Sequence, residues 1–214
     1  MTSTPAIEEY LQAIYTLADE GASVIAARIA GFLGLTPAAV SEMLHRLERE
    51  GLITISERHE VSLTPAGQAA ADTVVRRHRL IERFLVDVLG YEWWKVHDEA
   101  ERLEHALSGE MEERMRRVLN DPSTCPHGNP MPGVTAVPTR PLGTLTAGTA
   151  GEIARIPDQF EHEPGFLEYL DSVGLRPGVS VTVLGRSDGG LRLSVAGQAR
   201  EVRADCGQKV WVRA

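Results

Sequence analysis

His78 and Glu82 stand four residues apart, and a later segment carries His97, Glu101, Glu104 and His105. Residues three and four apart share one face of a helix, so the two segments can aim imidazole and carboxylate groups into one space. Divalent metal ions need such convergence, because their oxygen and nitrogen ligands must arrive from several directions at about 2 Å, and neighbouring helices can supply them. A solvated charged face, with i to i+4 pairing to Arg102, explains the same run without a metal. The paired ExxH motifs of ferritin-like di-metal enzymes are missing, and no nucleophile or acid/base pair stands beside the segment. The chemistry therefore reads as metal binding in a protein that is not an enzyme.

The chain that must position these residues has 214 of them, 43% hydrophobic and 24% charged. That is enough for one or two domains with a sizeable core. There is no run of about eighteen apolar residues to span a bilayer. The segment MTSTPAIEEY lacks the basic-then-apolar order of a signal peptide, and Cys125 and Cys206 form no CxxC pair. A cytoplasmic protein without a disulfide framework is expected. The net charge of −8 is unevenly spread, with four Lys/Arg against ten Asp/Glu in residues 1–72 and near balance afterwards. Non-specific attraction to phosphate cannot be the main device of this N-terminal segment unless something supplies positive charge.

Thr4-Pro5 followed by Ile7, Leu11, Ile14 and Leu17 predicts an amphipathic helix ending near Gly21. Ser23 can cap a second helix through Ala30. Thr36-Pro37 starts a third, with Val40, Met43, Leu44 and Leu47 on one side. Leu52–Ile55 and Val61–Leu63 flank a polar turn, and three helices followed by a β-hairpin is the winged helix-turn-helix plan, assigned to residues 1–72. A long helix is expected from Thr64-Pro65 to about Leu89, a further one from about Trp93 to Leu107, and another capped by Ser108. Residues 121–141 hold six of the twelve prolines and read as an extended linker. Beyond it, Thr144–Ile156, Val179–Leu184, Leu191–Val195 and Val210–Val212 read as strands of a small β-barrel, with Phe166–Val173 as its helix. The fold class is mainly α with a β-rich tail.

The order EEYLQAIYTL, TPAAVSEMLHRLEREGLI, RRHRLIERFLVDVLG, VHDEAERLEHALS and CPHGNPMPG resembles the diphtheria-toxin-repressor (DtxR) family of metal-dependent regulators. The resemblance covers nearly the whole chain. It implies a winged-helix DNA-binding domain, a helical metal-binding and dimerisation domain (73–120) and an SH3-like (FeoA-like) domain (142–214). It further implies a homodimer that represses metal-uptake genes and binds a palindromic operator of double-stranded DNA. By the same resemblance there are two metal sites per protomer. The primary site falls on Glu9, Glu101, Glu104 and His105, and the ancillary site on His78, Glu82 and His97, with Asp158 and Glu161 from the tail. Iron-responsive members typically have Met and Cys where this chain has Glu9 and Glu101; the hard carboxylates resemble the manganese-repressor (MntR) branch and suit Mn(II), with Fe(II) the alternative. An anion-binding group maps to Arg79 and Asn129, with the usual Ser replaced by Cys125. Thr36, Pro37, Ser41 and Glu42 take the positions that face DNA, while Arg46 and Arg49 are expected on phosphates.

Overall fold

The computed structural model describes residues 4–213 and divides into two compact units, the first running through His78 and rejoined by Arg102–Ser108, the second comprising Arg79–Glu101 and Gly109 onward. The first unit contains α1 (Pro5–Asp19), α2 (Ala26–Leu33), α3 (Pro37–Arg49) and a hairpin of β1 (Ile53–Ile55) and β2 (Val61–Leu63). Leu11, Ile14, Ile29, Val40, Leu47 and Ile53 are buried together as its core. The hairpin is antiparallel, with Ile53 opposite Leu63 and Ile55 opposite Val61.

The helix starts follow sequence signals, with two differences. Thr36 caps α3 through its hydroxyl, which accepts from the Ala39 amide at 3.3 Å, and Pro37 sits in the first turn where no amide is needed. Thr4 precedes α1 without a side-chain cap. Ser23 does not cap α2, which begins three residues later; its hydroxyl donates instead to Glu60 at 3.2 Å.

Helix α4 (Pro65–Asp87) carries both His78 and Glu82, and α5 (Val96–Leu103) carries His97 and Glu101. A 3-10 turn (Glu104–Ala106) ends α5, so the expected single helix to Leu107 is broken where Glu104 and His105 stand. After α6 (Gly109–Val118) comes the segment read as a linker, and its first half is folded. Cys125, His127, Asn129 and Met131 are buried. The Cys125 amide donates to Asn129 O and the Met131 amide to Ser123 O, and the Arg83 guanidinium donates to the carbonyls of Thr124 and Cys125. Proline here fixes a tight turn rather than an extended spacer. Only 133–138 is exposed throughout, as a linker should be.

The tail forms β3 (Arg140–Pro141), β4 (Ala150–Arg155), α7 (Asp158–Glu161), α8 (Phe166–Ser172), β5 (Ser180–Ser187), β6 (Gly190–Val195), β7 (Gln198–Arg203), α9 (Cys206–Lys209) and β8 (Trp211–Arg213). Its six strands make one antiparallel sheet in the order β3-β8-β4-β5-β6-β7 over a core including Ile153, Phe166, Leu170, Leu193 and Val212. Strand β7 has only Val202 buried, which is why no alternation in the sequence announces it. The expected strand from Thr144 shortens to Ala150–Arg155, because residues 142–144 form a 3-10 turn. Among the described residues no helix is long and apolar enough to cross a membrane.

Candidate metal centre

In the first unit, the turn after α5 brings ligand-type side chains against α1 and α4. His78 Nδ1 lies 2.5 Å from Glu104 Oε2, and both side chains are almost wholly buried. His105 Nδ1 lies 2.6 Å from Glu8 Oε2, with Glu104 Oε1 3.6 Å from His105 Nε2. Two carboxylates and two imidazoles are thereby chained together. Glu9, the expected α1 ligand, is exposed, and its neighbour Glu8 makes the contact. Successive helical residues point about 100° apart, so only one of the two faces His105 in a given setting of α1.

The second unit holds a deeper cluster. Glu82 on α4, His97 on α5, His127 in the Pro-rich turn and Glu161 at the end of α7 are all buried. His97 Nδ1 is 3.0 Å from Glu161 Oε2 and 3.3 Å from Glu82 Oε1, while His127 Nδ1 is 3.1 Å and 3.3 Å from the same two oxygens. Glu82, Cys125 and His127 each offer a ligand atom within 4.8 Å of the others. The spacing of ligand-type residues along α4 and α5 does not point to Cys125 or His127. The signal that could have found them is the spacing Cys-x-His inside CPHGNP, a short turn able to direct two donors into one pocket.

The donors fit a metal. The His127 Nε2 atom lies 3.1 Å from the Trp93 carbonyl, which can only accept, so one hydrogen belongs on Nε2, and Nδ1, which faces the carboxylates, is the nitrogen a metal would take in place of a proton. His127 Nδ1 and Glu161 Oε2 make no hydrogen bond although 3.1 Å apart. That separation suits two neighbouring ligands of one ion at about 2.0–2.2 Å from each. Without an ion the cluster relies on protons. Burial alone lowers the His127 pKa, but the charges of Glu161 and Glu82 overcome it and hold the imidazole well above its usual range. His97 behaves alike: burial opposes, and hydrogen bonds to Glu101, Glu161 and Glu82 raise it. Burial, reinforced by Glu82, pushes the Cys125 thiol up to about 11. Cys125 and His127 would hold a metal here by giving up these protons.

The remaining expected residues fall as follows. Asp158 faces Arg79, whose guanidinium donates to Asp158 Oδ2 at 2.6 Å and also to the Pro130 carbonyl. Burial raises the Asp158 pKa against the lowering pull of Arg79. The expected anion-binding arginine is thus met by a carboxylate of the chain itself. The Asn129 amide donates to Ile156 O and Glu161 Oε1, both at 2.7 Å, so it orients Glu161. Within the second unit, Glu101 Oε1 stands 3.6 Å from His97 Nε2 and 3.7 Å from His162 Nδ1. Ser41, Glu42, Arg46 and Arg49 are exposed on α3, and Arg46 is paired with Glu50 at 2.8 Å. His45 and the wing residues Arg58 and His59 are exposed as well.

Gly128 sets the turn that presents His127. Its φ is +90°, and a Cβ there would lie 2.0 Å from the Ala154 carbonyl oxygen. Gly128→Ala is expected to destabilise the protein by about 2–4 kcal/mol and to weaken metal binding in the deep cluster. Urea denaturation and a metal titration check both; an unchanged denaturation midpoint overturns the expectation.

A reading helix joined to a wing, with clustered carboxylates and imidazoles behind it, defines a metal-responsive DNA-binding protein. The comparisons agree. Residues 2–61 match the family model of the iron dependent repressor N-terminal DNA binding domain, residues 64–133 its metal binding and dimerisation domain, and residues 140–214 the FeoA domain. The chain is 38% identical over 209 residues to the diphtheria toxin repressor of Corynebacterium diphtheriae, covering 92% of each. It is 36% identical over 203 residues to the iron-dependent repressor IdeR of Mycobacterium tuberculosis, covering 89% of this chain and 88% of the relative. A solved manganese-dependent transcriptional repressor in complex with manganese superposes with a TM-score of 0.86 at 35% identity, over 96% of this chain and 98% of that one. The chain belongs to the diphtheria-toxin-repressor family and is a metal-dependent transcriptional repressor, not an enzyme.

Proposed function

We propose that the protein is a Mn(II)-activated homodimeric repressor of metal-uptake genes, acting in the cytoplasm on a palindromic operator. The observation that carries this reading is the oxygen-rich cluster of Glu8, Glu104, His78 and His105 on the DNA-binding unit. A first ion is held there, by His78, Glu104, His105 and an α1 carboxylate, from Glu8 or its neighbour Glu9. A second would be held by Glu82, Cys125, His127 and Glu161, with His97 hydrogen-bonded to Glu82. Bound divalent ions supply positive charge that cancels carboxylate repulsion of DNA phosphate. The chain does the rest. Glu8 lies on α1, which packs on α2 through Leu11, Ile14 and Ile29, so fixing Glu8 to the Glu104–His105 turn steadies the support of α3. Exposed Val88, Leu89, Tyr91, Met111 and Val118 supply apolar surface for a second copy.

Fe(II) is the second reading, favoured by the Cys125 thiol and by the iron-dependent curated relatives. Operator binding at equal free Mn(II) and anaerobic Fe(II) separates them: activation at lower Mn(II) supports the first, activation at lower Fe(II) the second.

On α3, Ser41 and Glu42 read bases while Arg49 holds phosphate. A carboxylate accepts from cytosine N4, so Glu42→Gln is expected to change the consensus selected from a random library. Arg49→Ala should instead weaken all sequences about equally. An unchanged Glu42→Gln consensus removes Glu42 from the base readers.

A further inference from the structure

Helix α3 presents one outward stripe. At about 100° per residue, the buried Val40, Leu44 and Leu47 share one direction, and Ala38, Glu42, His45 and Arg49 all fall within about 50° of the opposite one. All four are exposed. Their exposed neighbours are engaged elsewhere: Arg46 is held by Glu50 at 2.8 Å, and Glu48 Oε1 accepts from the Ile55 amide at 3.2 Å, fastening α3 to the hairpin. Among the described residues Glu42, His45 and Arg49 make no hydrogen bond or ion pair. The core therefore has no use for the His45 imidazole. Along the helix axis it stands about 4.5 Å beyond Glu42, against a rise of about 3.4 Å per base pair. Two side chains so placed in a major groove address neighbouring base pairs.

We propose that His45 is a base-reading residue that selects guanine at the base pair next to the one read by Glu42, once in each half-site. The inference rests on α3 being the helix that enters the major groove. Whichever ring nitrogen carries the hydrogen, an imidazole offers an N–H donor. Guanine accepts at both N7 and O6 on its major-groove edge, whereas adenine sets a donating N6 amino group beside N7, so an N–H aimed at that edge favours guanine. Glu42, one turn earlier, can only accept and takes the opposite kind of edge, such as the cytosine N4 amino group. The stripe thereby divides its work. Ala38 is small and allows close approach, Glu42 accepts, His45 donates, and Arg49 in the last turn reaches the backbone.

Operator selection from a random library tests the proposal, with full-length wild type, His45→Ala and His45→Gln loaded with whichever of Mn(II) and anaerobic Fe(II) activates binding. His45 is exposed, so both variants are expected to fold; circular dichroism verifies it. Wild type should select guanine at the position in question. His45→Ala should lose that preference and bind the wild-type consensus about 10-fold more weakly, while binding sites with that base pair replaced as wild type does. His45→Gln should move the preference to adenine, because a carboxamide pairs with N6 and N7 together. A packing role for His45 predicts no such exchange. An unchanged consensus in both variants overturns the proposal, and so does an equal loss across all sequences, which would make His45 a phosphate contact. Arg49→Ala separates the proposal from the reading beneath it. If Arg49→Ala weakens all sequences while both His45 variants keep the wild-type consensus, α3 binds DNA and the assignment of His45 alone fails. If Arg49→Ala has no effect either, α3 is not the reading helix and both fail.

Discussion

His105→Ala is expected to leave DNA binding at the metal-free level even with saturating Mn(II), a loss of about 100-fold or ~2.7 kcal/mol. His105 is the residue of the Glu104–His105 turn that contacts α1, through Glu8 at 2.6 Å. Without it the helix under the reading head is no longer fixed to the metal-binding turn. His105 is partly exposed, so helical content should be unchanged. Gel shift with and without Mn(II), alongside circular dichroism, gives the answer; metal-dependent binding in the variant at wild-type Mn(II) concentrations contradicts the assignment.

The second large effect is on the deep cluster. His127→Ala leaves Glu82 and Glu161 facing each other in a buried space with one imidazole fewer. Removing one partner of a buried charged set costs about 3–5 kcal/mol, read from urea denaturation of the metal-free protein. The variant should also bind one metal fewer. The pH dependence follows from the raised pKa values of His97 and His127. Groups whose folded pKa exceeds the unfolded value of about 6.5 contribute stability fully below that pH, and lose it as pH rises through the folded value. Metal-free protein is therefore expected to lose stability as pH rises above about 6.5, while the metal, competing with fewer protons, binds more tightly. The melting-temperature gain on adding Mn(II) should grow with pH. A gain that shrinks over this range would show that the two imidazoles do not titrate with the site.

What the sequence made legible followed helical periodicity. The apolar spacing of α1 and α3, the Thr36-Pro37 start and the two β-prone runs are local patterns, and the winged helix-turn-helix appears with its core at Leu11, Val40 and Leu47. Spacing alone put His97 and Glu101 on one helix, and they meet in the structure. Where the helix breaks, the pattern fails. The 3-10 turn at Glu104–Ala106 turns Glu104 and His105 toward His78 and Glu8, and no periodicity reports such a break. His127 and Cys125 were hidden because proline and glycine density reads as linker, whereas here it shapes a turn held by Arg83 and required to pass close to Ala154. Asp158 and Glu161 occupy one short helix, yet one pairs with Arg79 and the other enters the His97–His127 cluster. That divergence depends on tertiary packing.

The central claim is that metal controls DNA binding through carboxylates and imidazoles behind the reading head. Fluorescence anisotropy of a labelled palindromic promoter fragment tests it most directly, titrated with metal-free protein, then with Mn(II), then with excess chelator. The account predicts weak binding without metal, tightening by about 100-fold with Mn(II), and full reversal on chelation. Equal affinity in all three conditions would contradict it.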